Sequence, residues 1–297
     1  MKLRPRAMIT ALITLTAAAG TLLSISSPAM ASPVPPSPNT ALFGTWANTN
    51  PATRNVADIV LSPGGGGILA DGFGACSPTP CQWGDIPGTV FGTSVGSPTG
   101  NSFRADWNFG FAHTVLLGTL TQRKLFFLQV LTVQEFTTFT DHSGRANFEV
   151  TETFVRAKTS IAPTRNGTQG ISYPLGNPVI PVHALLGVWV NTSPSGGDIR
   201  KIILSRGPGG RLTVSAFGNC VPTACVWGRV TGITFGISVG SRSGQTFLAP
   251  YYFGFSNALL DGSVNPTGTL LTVQTYTEFT DHSGRSNYLS TDTFTRI

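Results

Sequence analysis

The sequence predicts an all-β protein made of two tandem antiparallel meander β-barrels, each of about eight strands, with a β-sandwich as the alternative architecture. Three observations carry that prediction. The chain contains one unit twice, each unit breaks into short strand-like runs between turn residues, and no stretch after the N-terminal leader holds a capped helical periodicity.

The duplication is read directly. Leu42 to Thr49 (LFGTWANT) returns as Leu185 to Thr192 (LLGVWVNT), and Gly72 to Gly84 (GFGACSPTPCQWG) returns as Ala216 to Gly228 (AFGNCVPTACVWG). Phe91 to Ser97 returns as Phe235 to Ser241, and Leu131 to Arg156 returns as Leu271 to Arg296. Each unit is roughly 115 residues long, the size of a single domain. A solenoid needs more and shorter repeats, so two compact domains follow. The predicted organisation is a signal peptide over 1–31, a Pro-rich linker over 32–41, a first barrel over 42–157, a linker over 158–183 and a second barrel over 184–297.

In the second unit the turn residues divide the chain into strands at 187–192, 199–205, 211–220, 226–231, 234–239, 246–255, 268–279 and 286–296. Their short connections cannot link parallel neighbours, so an antiparallel meander is expected. On the strand near residue 135, Thr132, Gln134, Phe136 and Thr138 share one face while Leu131, Val133 and Phe139 share the other. On the last strands Phe148, Glu152 and Phe154 share a face, as do Tyr288, Asp292 and Phe294. A carboxylate between aromatics faces either a wet cavity or a buried partner.

The leader has a positive start (Lys2, Arg4, Arg6), an uncharged run over Met8 to Leu23 and a small-x-small site at Ala29-Met30-Ala31. The run is short for a membrane span, so secretion is expected and no membrane association. The chain carries 19 basic and 13 acidic residues; without Lys2, Arg4 and Arg6 it has 16 against 13, a net +3. That charge does not indicate nucleic acid as a partner.

Cys76 and Cys81, and likewise Cys220 and Cys225, share the spacing C-x4-C. In an oxidising compartment a turn of this length sets two Cα atoms within disulfide reach across a hairpin. The chain-entropy model gives so small a loop roughly 2 kcal/mol, enough to pin a hairpin. No metal site is expected, because the remaining histidines do not fall at zinc-ligand spacing. Trp83 and Trp227 follow the second cysteine of each pair and are expected to pack against the disulfide.

Asp141-His142-Ser143-Gly144-Arg145 and Asp281-His282-Ser283-Gly284-Arg285 contain the residue types of a nucleophilic triad. Adjacent residues do not converge in the way a triad requires, and Asp and Ser before Gly are what a hairpin loop needs. Glu152 with Glu149 or Glu135 has the composition of a glycosidase pair, but the second unit has Asp292, Leu289 and Thr275 in those places. No catalytic residue and no cofactor is therefore assigned.

The start of each unit, Gly44-Thr45-Trp46-Ala47-Asn48 and Gly187-Val188-Trp189-Val190-Asn191, and the end of the second, Asp292 to Ile297, resemble the first and last strands of the avidins, including streptavidin, within the lipocalin-like barrels. The resemblance covers the two ends of each unit. It implies an eight-stranded meander barrel that binds a small molecule in its mouth. By the same resemblance, Trp46 and Trp189 would plug the closed end, and Asn48 and Asn191 would bond the ligand. Glu152 and Asp292 would accept from it opposite, and Phe136 and Tyr276 would stand in for the wall tryptophans.

The expected function is binding of a small molecule or carbohydrate by a secreted tandem-repeat protein, without catalysis. The alternative is a module that binds an extracellular protein, such as a protease inhibitor presenting the two disulfide loops. An uncharacterised hydrolase is third.

Overall fold

The computed structural model describes residues 36–64, 67–123, 128–159, 167–170, 173–174, 181–193 and 197–297. The leader and the rest of the segment before residue 36 lie outside the described residues, as do parts of the linker between the units.

Each unit is a closed eight-stranded antiparallel barrel. The first is built from β1 (Gly44–Asn48), β2 (Val56–Gly64), β3 (Gly67–Gly74), β4 (Ile86–Phe91), β5 (Ser102–Asn108), β6 (Ala112–Arg123), β7 (Leu128–Phe139) and β8 (Phe148–Arg156). The second repeats it with β9 (Gly187–Asn191), β10 (Ile199–Arg206), β11 (Leu212–Gly218), β12 (Cys225–Phe235), β13 (Thr246–Tyr252), β14 (Ser256–Val264), β15 (Leu270–Phe279) and β16 (Tyr288–Arg296). Neighbours in sequence pair in space, and β1 pairs with β8 as β9 pairs with β16, so neither barrel leaves an open edge.

Two boundaries differ from the sequence reading. The predicted strands 226–231 and 234–239 form one strand, β12, which ends at Phe235. The run 246–255 ends at Tyr252, and a further strand, β14, follows it. The turn between them is made by Gly254 at φ 79°, matched by Gly110 at φ 81° in the first barrel, a conformation open to glycine. In β14, Asn257, Asp261 and Gly262 obscure the alternation that would have marked a strand.

The closed end of each barrel explains the Gly-x-Trp motif. Trp46 and Trp189 are fully buried in their cores, and their indole N–H groups donate to the carbonyls of Leu42 and Leu185 at 2.8 and 2.9 Å. Arg156 and Arg296 lie over these rings, 4.2 and 4.5 Å from the centroids. Gly44 has φ 123° and a Cβ there would meet the Arg156 guanidinium, so the glycine serves both the backbone and the stacking cation.

The two barrels pack against each other about a pseudo-twofold. Phe136 meets Phe235 edge-on at 5.1 Å, and the equivalent pair, Tyr276 and Phe91, meets at 5.2 Å. Around this contact Val115, Leu117, Ile233, Leu248 and Leu259 complete a third buried cluster, separate from the two barrel cores. Backbone bonds repeat the symmetry. The Gly92 N–H donates to Asn287 and the Gly236 N–H to Asn147, both at 2.9 Å, while Ser286 donates to Val95 at 2.8 Å and Ala146 to Val239 at 2.9 Å.

The linker does more than connect. The N–H groups of Gly167 and Gly170 donate to the carbonyls of Asp85 and Asp106 at 2.8 and 2.7 Å, and Thr168 accepts from Asn108 at 2.8 Å. These residues cover the part of β5 that β4 does not reach. In the second barrel Pro250 stands at the position of Asp106, and proline has no N–H to leave unpaired at such an edge.

Candidate functional site

Both C-x4-C pairs are disulfides, with Cα atoms 5.4 Å apart. The first closes the β3–β4 connection through a short strand at Cys81–Gln82 that pairs with Phe73 and Gly74. This loop forms one lip of a cavity of about 400 Å³ at the end of the first barrel away from Trp46. The Trp83 ring lies over Gly72 and Gly74, where any Cβ would strike it, and meets Trp107 and Phe109 edge-on at 5.3 and 5.4 Å. Trp83 thus builds the aromatic wall of the mouth beside the disulfide. Trp227 repeats the arrangement against Tyr251 and Phe253.

Phe109, Phe111, Phe139 and Phe148 continue the wall, while Arg54 and Asn55 line the cavity from the β1–β2 connection. Its polar floor comes from β6 and β7. The Thr114 and Thr137 hydroxyls lie 3.0 Å apart, and Thr137 donates to Glu135 Oε1 at 3.0 Å. Glu135 shares the inward face with Leu131 and Val133 and is only 5% exposed. Its second oxygen, Oε2, is buried without a hydrogen-bond partner. Burial pushes this carboxyl up to about 7; the Thr137 bond opposes the shift, and the Glu152 charge adds to it.

The structure places the six residues singled out by sequence as follows. Glu152 faces into the first barrel between Phe148 and Phe154 and accepts from the Thr53 hydroxyl. Asn48 donates to the Val56 carbonyl at 2.8 Å and accepts from the Asn50 N–H at 2.9 Å, which ties the β1–β2 connection. Asn191 makes the equivalent bond to Ile199 at 2.7 Å and also donates to Asp292 at 3.0 Å, so these two side chains hold each other. Burial raises the Asp292 pKa, with the Asn191 bond opposing. Phe136 and Tyr276 are not brought to either mouth; they point outward and make the contact between barrels. The sequence reading considered Glu135 only as a partner of Glu152, and missed its place on the floor of the cavity.

The Asp-His-Ser-Gly-Arg segments are turns in both barrels. Arg145 donates to Asp141 at 2.6 Å and to Ser143 at 2.8 Å, with its guanidinium 3.8 Å from the Phe139 ring centroid. His142 has φ 56°, and the Arg285 segment repeats every one of these bonds. The serine hydroxyl accepts from arginine and is held as part of the turn. Among the described residues no group of three or more His, Cys, Asp or Glu converges to hold a metal ion.

The raised Glu135 pKa sets a pH dependence. Between about 4.5 and about 7 the folded protein keeps this proton and the unfolded chain does not, so the contribution to stability is present at low pH and is lost as pH rises through 7. Asp261, which burial also pushes up to about 7, acts in the same sense, whereas His113, which burial lowers to about 4, acts in the opposite one. Glu135→Gln isolates the first effect: denaturant unfolding at several pH values should show the variant gaining on the native chain by on the order of 2–3 kcal/mol from pH 4.5 to 7. A pH-independent difference would show that Glu135 ionises normally.

The chain matches no family model and no curated protein sequence.

Proposed function

We propose that this protein is a secreted binding protein that holds a small molecule or a sugar residue in the mouth of its first barrel, without catalysis. The observation that carries the reading is the cavity of about 400 Å³, walled by aromatic rings and floored by a buried acid with an unpartnered oxygen. Such a concave, mostly apolar site with few convergent polar groups is the form that small-ligand pockets take. Both disulfides fit an oxidising compartment, and no helix among the described residues is long and apolar enough to cross a membrane. The reading without catalysis is supported by the partners of these groups: Glu152 accepts from Thr53, and the serines of the two turns accept from arginine.

The test is a thermal-shift screen of the oxidised protein against biotin, cell-wall and plant sugars, and small aromatic compounds. A compound binding only the folded form at a hundredfold excess over its Kd adds about 2.7 kcal/mol of stability. Phe111 and Phe255 occupy equivalent half-exposed positions in the two barrels, at 52% and 49% exposure, so their replacement leaves the cores intact. Phe111→Ala is expected to weaken a hit about fivefold, the loss of roughly 1 kcal/mol of ring contact, and Phe255→Ala to leave it unchanged. Equal loss in both would move the site to a surface shared by the barrels. A panel without any hit would favour a protein partner.

A further inference from the structure

We infer that the ligand of the first barrel carries a protonated amine that docks on Glu135, with an apolar body against the rings of Trp83, Phe109, Phe111 and Phe139. The inference rests on the reading of this mouth as a binding site and names the chemistry of its ligand. An ionised carboxylate only accepts hydrogen bonds; Glu135 lines the cavity, and its Oε2 is a buried acceptor that the protein leaves unused. A donor that also carries positive charge makes the stronger bond there.

The surroundings favour a cation. From β8 a second carboxylate, Glu152, acts on Glu135 through its charge. From β6 and β7 the groups lining the cavity are Ala112, Thr114, Thr137 and Phe139, none of them charged. The β1–β2 connection contributes Arg54 as a positive charge, set against Glu135 in the lining and Glu152 in the same barrel, and the β3–β4 connection contributes uncharged Gln82. Arg145 is paired with Asp141 and adds no net charge at the lip. Aromatic faces attract cations as well, by about 0.5–1 kcal/mol at exposed sites and more where water is excluded.

The second barrel lacks this arrangement. Thr275 pairs with Leu260 as Glu135 pairs with Leu116, and Ala258 pairs with Thr277 as Thr114 pairs with Thr137. Its mouth therefore lacks the acid and the counterpart of Thr114, while Thr277 keeps the place of Thr137, and one amine is expected per chain.

Three phenyl probes of similar size separate the possibilities by calorimetric titration of the oxidised full chain: 2-phenylethylamine, 2-phenylethanol and 3-phenylpropionate. At pH 8 the amine is expected to bind at least tenfold tighter than the alcohol, an advantage of about 1.4 kcal/mol, with one site per chain. At pH 5.5 Glu135 holds its proton and that ratio should fall several-fold. Glu135→Gln should bring the ratio to within about threefold of unity. Asp261→Asn, which changes a buried acid between the barrels, should leave it unaltered. Equal binding of all three probes, untouched by Glu135→Gln, would overturn the amine assignment and keep the mouth as a binding site. Preference for the propionate would overturn it as well. Binding of none of the three would overturn the amine assignment, and only an empty thermal-shift panel as well would remove the mouth as a binding site.

Discussion

Phe136→Ala is expected to destabilise the protein by about 3–5 kcal/mol and to uncouple the two barrels. The ring is fully buried between them, edge-on to Phe235, and nothing nearby is free to fill the space. Because the same cluster joins both barrels, the native chain should unfold in a single transition. The loss of Phe136 removes one of the two aromatic pairs that make the barrels one cooperative unit. Calorimetry should then resolve two transitions, with the backbone bonds at Gly92 and Gly236 and the Gln134–Asp261 contact at 2.9 Å insufficient to hold them together. Tyr276→Ala should reproduce the effect through its contact with Phe91. One unshifted transition in both variants would mean that the barrels are stable independently of this contact.

The second large effect is expected at the closed ends. Trp46→Ala and Trp189→Ala each open a core and should cost about 3–5 kcal/mol. Each also leaves a buried leucine carbonyl without its indole donor and an arginine without the ring beneath it. Since the acceptor carbonyl, the covering arginine and the cross-strand isoleucine (Ile59 and Ile202) are the same in both barrels, the losses should agree within about 1 kcal/mol, whereas a plug that serves only one barrel would give unequal values. Urea unfolding followed by far-ultraviolet circular dichroism measures both. Replacement by Phe should recover part of the loss, because it restores ring volume without the N–H bond.

These variants also separate the two kinds of residue that one alternating pattern encodes. Phe136 and Leu131 lie on opposite faces of β7, yet both are fully buried. In a barrel that stands alone the outward face would be wet and polar, and alternation would reveal which face is which. Here the outward face of β7 is covered by the other barrel. An aromatic at that position is as apolar as one lining a mouth, which is why Phe136 and Tyr276 read as wall residues in the sequence. Asn48 and Asn191 show a related ambiguity. An asparagine at the end of a first strand suits a ligand or a connection equally well, and the structure shows it bonded to the backbone of the next strand.

What the sequence determined by itself depends on interactions within a few residues or on the plain period of two. The β class, the duplicated unit, the C-x4-C hairpins and the Asp-Ser-Gly-Arg turns are all of that kind, since each is settled by backbone preferences and short loops. Only the tertiary structure decided what lies across from what. Closure of the first barrel brings Arg54, Trp83, Phe109 and Glu135 to one cavity from four separate parts of the chain. It places an acid where the second barrel has Thr275, so two units of common sequence end with different mouths. Among the described linker residues, Gly167, Thr168 and Gly170 bond the first barrel at Asp85, Asn108 and Asp106, a pairing that no pattern within the linker announces. Register and closure are properties of the whole barrel, and the pattern along any one strand does not contain them.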